Sequence, residues 1–255
     1  MEKKYSIKRS IFILPSLFTL ANMVCGFYSV ILAFNQKWLE AGALLSLAGI
    51  MDGLDGMVAR VTKTTSEFGL NFDSIVDVVS FGVCPALIIY LKWLQPAVYE
   101  HKRFGWMLAF LFLMAGAIRL ARFNVGAASA DETPKDFRGL PITGAAMLLS
   151  TSLWVYSKYL DNIWLLNVIP KLIPGTLIVL TYLMVSNIRY PSLKKIKFKQ
   201  YNPFVLLFIV SAFILLLMMF PGFIMFTFAL LYVISGPVKK ILQLKKISER
   251  RKQDE

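Results

Sequence analysis

The sequence predicts an all-α polytopic membrane protein of about eight transmembrane helices, six forming a core and the last two a C-terminal helical hairpin. Three observations predict it. Hydrophobic residues fill 57% of the 255 positions and mean hydropathy is +0.62, too apolar for a soluble domain of ordinary composition. The apolar residues gather in runs near the twenty that a helix needs to cross a bilayer. The net charge of +13 is concentrated in alternate connections between those runs, a pattern of membrane topology and not of a nucleic-acid-binding face.

Taken in order, the runs cover roughly 11–34, 38–60, 70–91, 104–123, 140–157, 172–188, 202–219 and 221–238. Ahead of them, MEKKYSIKRS carries four basic residues and no small-residue cleavage site, which predicts a retained cytoplasmic or interfacial segment over 1–10. The first span places Thr19 and Asn22 three apart on one face, where they turn toward protein and not lipid. The fourth ends AGAIRLARFN, with Arg119 and Arg122 on one face. That pair suits a carboxylate or phosphate as well as ordinary snorkelling. Residues 125–138 are polar and long enough to cover a site. The sixth span runs into SNIRYPSLKKIKFK, whose Arg189 and following lysines suit an anionic lipid surface.

The last two spans carry no charged residue and predict a hairpin turning at Pro221 and Gly222. The basic, partly amphipathic tail predicts an interfacial helix. The expected organisation is thus 1–10 as N-terminal segment, 11–193 as the main membrane domain, 194–238 as an added hairpin and 239–255 as a basic tail. Cys25 and Cys84 lie within spans without metal-ligand spacing and read as packing residues. His101, the single histidine, falls in a loop with no second histidine to share a metal.

An even number of spans leaves both termini on one side. With that side cytoplasmic, the cytoplasmic segments hold 22 lysines and arginines and the outer ones five, the asymmetry of the positive-inside rule. The cytoplasmic ends of the second and third spans then carry the stretch Asp52 to Asp77, DGLDGMVARVTKTTSEFGLNFDSIVD. Its four carboxylates are expensive in a bilayer, roughly 2.5–3.5 kcal/mol each on insertion scales.

Asp52 and Asp55 stand three apart, and Gly56 and Ala59 continue their face. Asp73 and Asp77 stand four apart on the next helix. Two such faces meeting would gather oxygen ligands suited to Mg²⁺ or Mn²⁺, with small residues leaving room for a phosphate. Polar interhelical contacts or an ion pathway are the other uses of intramembrane acids. Paired spacing, interleaved small residues and Arg60 one turn away favour the metal site.

Asp52, Asp55, Gly56, Ala59, Arg60, Gly69, Asp73 and Asp77 fill every fixed position of D-x2-D-G-x2-A-R-x8-G-x3-D-x3-D, and on them the chain resembles the CDP-alcohol phosphotransferases. Further strings, PSLFTLANMVCGF, ARFN, FRGLP and SNIRYPS, resemble the phosphatidylserine-forming branch over residues 12–193. The resemblance implies transfer of a phosphatidyl group from CDP-diacylglycerol to L-serine with release of CMP. It also implies a homodimer and two divalent cations held by Asp52, Asp55, Asp73 and Asp77. CDP-diacylglycerol would lie against Thr19, Asn22, Asp52, Gly56, Ala59, Arg60 and Gly69. Asp77 is the candidate general base for the serine hydroxyl, and Arg119, Arg122 and Arg189 are candidates for its carboxylate. Acceptors such as glycerol 3-phosphate or inositol phosphate remain alternatives, as does a cation transporter.

Overall fold

Long apolar runs without internal charge can satisfy their backbone in a bilayer only by coiling into helices, and helices account for nearly all of the chain. The computed structural model describes residues 2–62, 67–95, 104–128, 137–159, 163–190, 211–212 and 215–254. It contains α1 (Glu2–Phe34), α2 (Trp38–Thr62), α3 (Glu67–Asp77), α4 (Cys84–Ile89), α5 (Gly105–Ala128), α6 (Ile142–Tyr159), α7 (Ile163–Val185) and α8 (Pro221–Asp254). Two π-helical turns, Val78–Val83 and Tyr90–Leu94, join α3 and α4 into one continuous stretch. Two-residue strands, β1 (Phe137–Arg138) and β2 (Arg189–Tyr190), are the only sheet among the described residues. Among the described residues, six stretches are long and apolar enough to cross a membrane: 17–34, 38–58, 69–94, 105–125, 168–185 and 221–245.

α1 and α2 pack as an antiparallel pair. Between them Gln36 takes a left-handed conformation (φ 59°), while Lys37 N–H donates to the Leu32 carbonyl and Gln36 N–H to that of Ala33. These bonds close the end of α1 in the manner of a Schellman cap. α6 lies between α2 and α8 and carries several hydroxyls. Thr151 donates to the Met147 carbonyl at 2.6 Å, and Ser46 of α2 donates to Ser150 at 3.0 Å. A helix surrounded by protein can carry such groups because they find partners there. At Gly42 a Cβ would lie 2.8 Å from the Trp154 backbone nitrogen, so α2 and α6 touch backbone to backbone. Trp93, Phe81, Phe112 and Tyr190 are fully buried in the core. At the end of the stretch away from the aspartates, the Lys92 ammonium lies 4.6 Å from the centre of the Trp38 ring and 5.7 Å from that of Tyr156, an aromatic setting that offsets lost hydration.

Four boundaries differ from the sequence expectation. The sixth span begins at Ile163 instead of 172, because Pro170 and Pro174 sit inside α7; prolines are tolerated within membrane helices when neighbours re-satisfy the freed carbonyls. It ends at Val185 instead of 188, since Leu140 N–H takes the Leu183 carbonyl and Ser186 turns its hydroxyl back onto the same residue. The basic tail forms no separate surface helix: α8 runs unbroken through Asp254, about 51 Å at 1.5 Å per residue. α1 likewise starts at Glu2 and includes the segment 2–10. A bend on Phe220 comes just before Pro221, which opens α8. Most of the span 202–219 lies outside the described residues, as do His101 and most of the loop 125–138.

FRGLP and SNIRY, some fifty residues apart in sequence, come together in space. Phe137 pairs with Tyr190 and Arg138 with Arg189. Gly139 has φ 79°, and a Cβ there would lie 2.3 Å from the Met184 carbonyl oxygen. Left-handed backbone costs a non-glycine residue roughly 1–2 kcal/mol before any clash. Gly139→Ala is therefore expected to lower the thermal midpoint of the detergent-solubilised protein by several degrees, read by tryptophan fluorescence.

Candidate active site

The site is built where α1, α2 and α3 meet. The three-residue spacing on α2 and the four-residue spacing on α3 turn their aspartates toward one another across the helix interface. Asp52, Asp73 and Asp77 each bring one carboxylate oxygen within 4.8 Å of the others. Asp52 and Asp77 are close enough to hydrogen-bond. Asp77 Oδ1 is buried with no hydrogen-bond partner. Immediately after Asp77 the helix widens into the π turn Val78–Val83, a departure from α geometry that is common at functional sites. Asn124 at the end of α5 donates to Ser74 at 3.0 Å and so ties α5 to α3 beside Asp73.

Asp55 stands apart from that trio. It is 6% exposed and accepts a hydrogen bond from the Thr19 hydroxyl of α1. Its charge still acts on Asp52 and Asp73. Three of the four carboxylates come together, and the fourth, one turn from Asp52 on α2, is engaged by a threonine of α1. The sequence placed Thr19 on an inward face but did not pair it with an aspartate 36 positions later. Asn22, one turn along α1, is fully buried with neither amide atom hydrogen-bonded. A buried primary amide without partners is costly and marks a place where a polar ligand group would fit.

The three arginines are distributed differently from the shared role expected of them. Arg119 is 8% exposed, and its Nε has no hydrogen-bond partner. Its titratable neighbours are the neutral Tyr232 hydroxyl and the Asp77 carboxylate, and the Phe123 ring lies 5.9 Å away. Arg122 is exposed and committed elsewhere, donating to the Val185 carbonyl and to Asn187 Oδ1, both at 3.0 Å. It braces the end of α5 against the end of α7. Arg189 is exposed on β2. Gly56 and Gly69 lie half-buried on the two helices that carry the aspartates. The side chains of Ala59 and Arg60 lie outside the described residues.

Chemically, the trio is a set of hard oxygen donors with an unpartnered oxygen, and among the described residues a single guanidinium stands against its negative charge. That donor set fits a divalent cation.

The family model for CDP-alcohol phosphatidyltransferases matches residues 12–183. The chain belongs to that family. It is 39% identical to the CDP-diacylglycerol–serine O-phosphatidyltransferase of Helicobacter pylori strain J99, over 93% of this chain and 94% of the relative. The enzyme of the same name from Methanocaldococcus jannaschii is 36% identical over 72% of this chain and 76% of its own length. The archaetidylserine synthase of Methanothermobacter thermautotrophicus is 35% identical over 70% and 69%. The family match ends two residues before the end of α7, so α8 lies beyond it.

Proposed function

We propose that this chain transfers the phosphatidyl group from CDP-diacylglycerol to the hydroxyl of L-serine, forming phosphatidylserine and CMP. The observation that carries the reading is an acidic trio with an unpartnered oxygen facing a buried, uncommitted guanidinium, in a chain whose relatives are named for this reaction. One group suits a cation-bound pyrophosphate and the other an acceptor that is itself an anion.

Asp52, Asp73 and Asp77 would hold the divalent cations, two in number and either Mg²⁺ or Mn²⁺, with Asp55 beside them as a further carboxylate. Bound cations supply positive charge to the phosphoryl oxygens and to the departing CMP. Asn22 and Thr19, with Gly56, Ala59, Arg60 and Gly69, line the place for the nucleotide. Arg119 pairs with the serine carboxylate. Asp77 takes the proton from the serine hydroxyl as its oxygen bonds to the phosphorus that carries diacylglycerol. The bond from that phosphorus to the bridging oxygen breaks, and CMP leaves with the electron pair. The attack is direct, without a phosphatidyl-enzyme. The enzyme works as a homodimer with both termini and the site on the cytoplasmic side, where serine and CMP are soluble.

The test is CMP release by the purified protein in mixed micelles of CDP-diacylglycerol with serine, glycerol 3-phosphate or inositol phosphate as acceptor. Serine-dependent release that is abolished by EDTA and restored by Mg²⁺ or Mn²⁺ is expected. Release with a phosphorylated acceptor and none with serine would reassign the acceptor.

A further inference from the structure

α8 lies outside the stretch that the family model matches, and by composition it reads as a membrane anchor. Its packing says otherwise. Tyr190 of β2 is fully buried against it, donating its hydroxyl to the Val233 carbonyl at 3.2 Å. The ring fills a notch that only glycine leaves open, since a Cβ on Gly236 would lie 2.4 Å from Tyr190 Cζ. Burial pushes the Tyr190 phenol up to about 12, so it stays a donor at any physiological pH. α8 is thereby held in register against the strand pair and α6.

That register decides where Tyr232 goes. Its ring rests on Gly144 of α6, whose Cβ would lie 3.0 Å from Cε1 and 3.2 Å from Cδ1, and on Tyr190 with ring centres 5.7 Å apart. The ring is pinned on two sides, yet its hydroxyl makes no hydrogen bond among the described residues. It is an electrostatic neighbour of Arg119, whose own Nε is buried and unpartnered. A buried guanidinium nitrogen without a hydrogen bond is uncommon, and an anionic ligand shared with the phenol would satisfy the Arg119 Nε.

We infer that Tyr232 completes the acceptor pocket from beyond the matched domain, its hydroxyl and the Arg119 guanidinium together holding the carboxylate of the amino-acid acceptor. This rests on the reading of serine as acceptor. The phenol adds a neutral donor that recognises carboxylate oxygen without adding charge, and α8 thus takes part in specificity as well as anchorage.

Tyr232→Phe removes the hydroxyl alone and leaves the ring on Gly144 and Tyr190. With full-length protein in CDP-diacylglycerol micelles, the KM for serine is expected to rise about tenfold, the scale of one hydrogen bond to a charged group. The kcat, the KM for CDP-diacylglycerol and the thermal midpoint should match the parent protein. An unchanged serine KM overturns the inference. So does a rise accompanied by an equal rise in the KM for CDP-diacylglycerol or by a lowered midpoint, which would make the hydroxyl a packing element. If the parent protein itself releases no CMP in response to serine, the acceptor assignment falls first and the inference with it.

Discussion

Asp77→Asn is expected to bind CDP-diacylglycerol with near-parental affinity while turnover falls at least a hundredfold. The amide keeps the shape and one oxygen of the carboxylate, so the helix interface around Asp52 and Asp73 is preserved. What it loses is the ability to accept a proton. A serine hydroxyl is a poor nucleophile at neutral pH, and a positioned base contributes about 10²–10⁴ in rate. Asp77 is the member of the trio with the Arg119 guanidinium as its neighbour, and in the proposed reading that arginine holds the acceptor. The comparison to make is kcat against equilibrium binding of CDP-diacylglycerol. Near-normal turnover would remove Asp77 from the role, and loss of binding alone would make it a ligand only.

Arg119→Lys is expected to raise the KM for serine about ten- to hundredfold, from one lost hydrogen bond to a charged group at roughly 1.5–3 kcal/mol. Lysine keeps the charge but not the planar fork that meets a carboxylate with two parallel bonds. Because the parent guanidinium has no hydrogen bond to the protein through Nε, the substitution breaks no internal brace there. Arg122→Lys is the informative contrast. Its guanidinium is spent on Val185 and Asn187, so that variant should lose stability and keep its serine KM. Apparent serine affinities for the two variants side by side separate the roles, and equal KM values in both would refute the assignment.

Much of this was legible in sequence for a simple reason. A bilayer offers the backbone no water, so a run of apolar residues such as 104–123 has one solution, and its position follows from composition. The Asp pairs were legible because carboxylates three and four apart share a helix face whatever the surroundings. Boundaries set by neighbours were not. Nothing local announces that α7 continues back through Pro174 and Pro170, or that Leu140 takes the carbonyl that ends it. The arginines show the same limit. Arg119 and Arg122 look alike at spacing three, and only the partners supplied by α7 distinguish a brace from an open guanidinium.

The chain by itself determined its membrane-spanning helical class, its family and the faces that carry Asp52, Asp55, Asp73 and Asp77, because each depends on hydropathy and helical periodicity along one segment. Tertiary structure alone decided that Asp55 turns to Thr19 and that FRGLP pairs with SNIRY. It also decided that an appended helix seats Tyr232 on Gly144 of α6 and against Tyr190. Those contacts join residues tens of positions apart, and their geometry is set by how closely small residues such as Gly42, Gly144 and Gly236 let neighbouring elements approach.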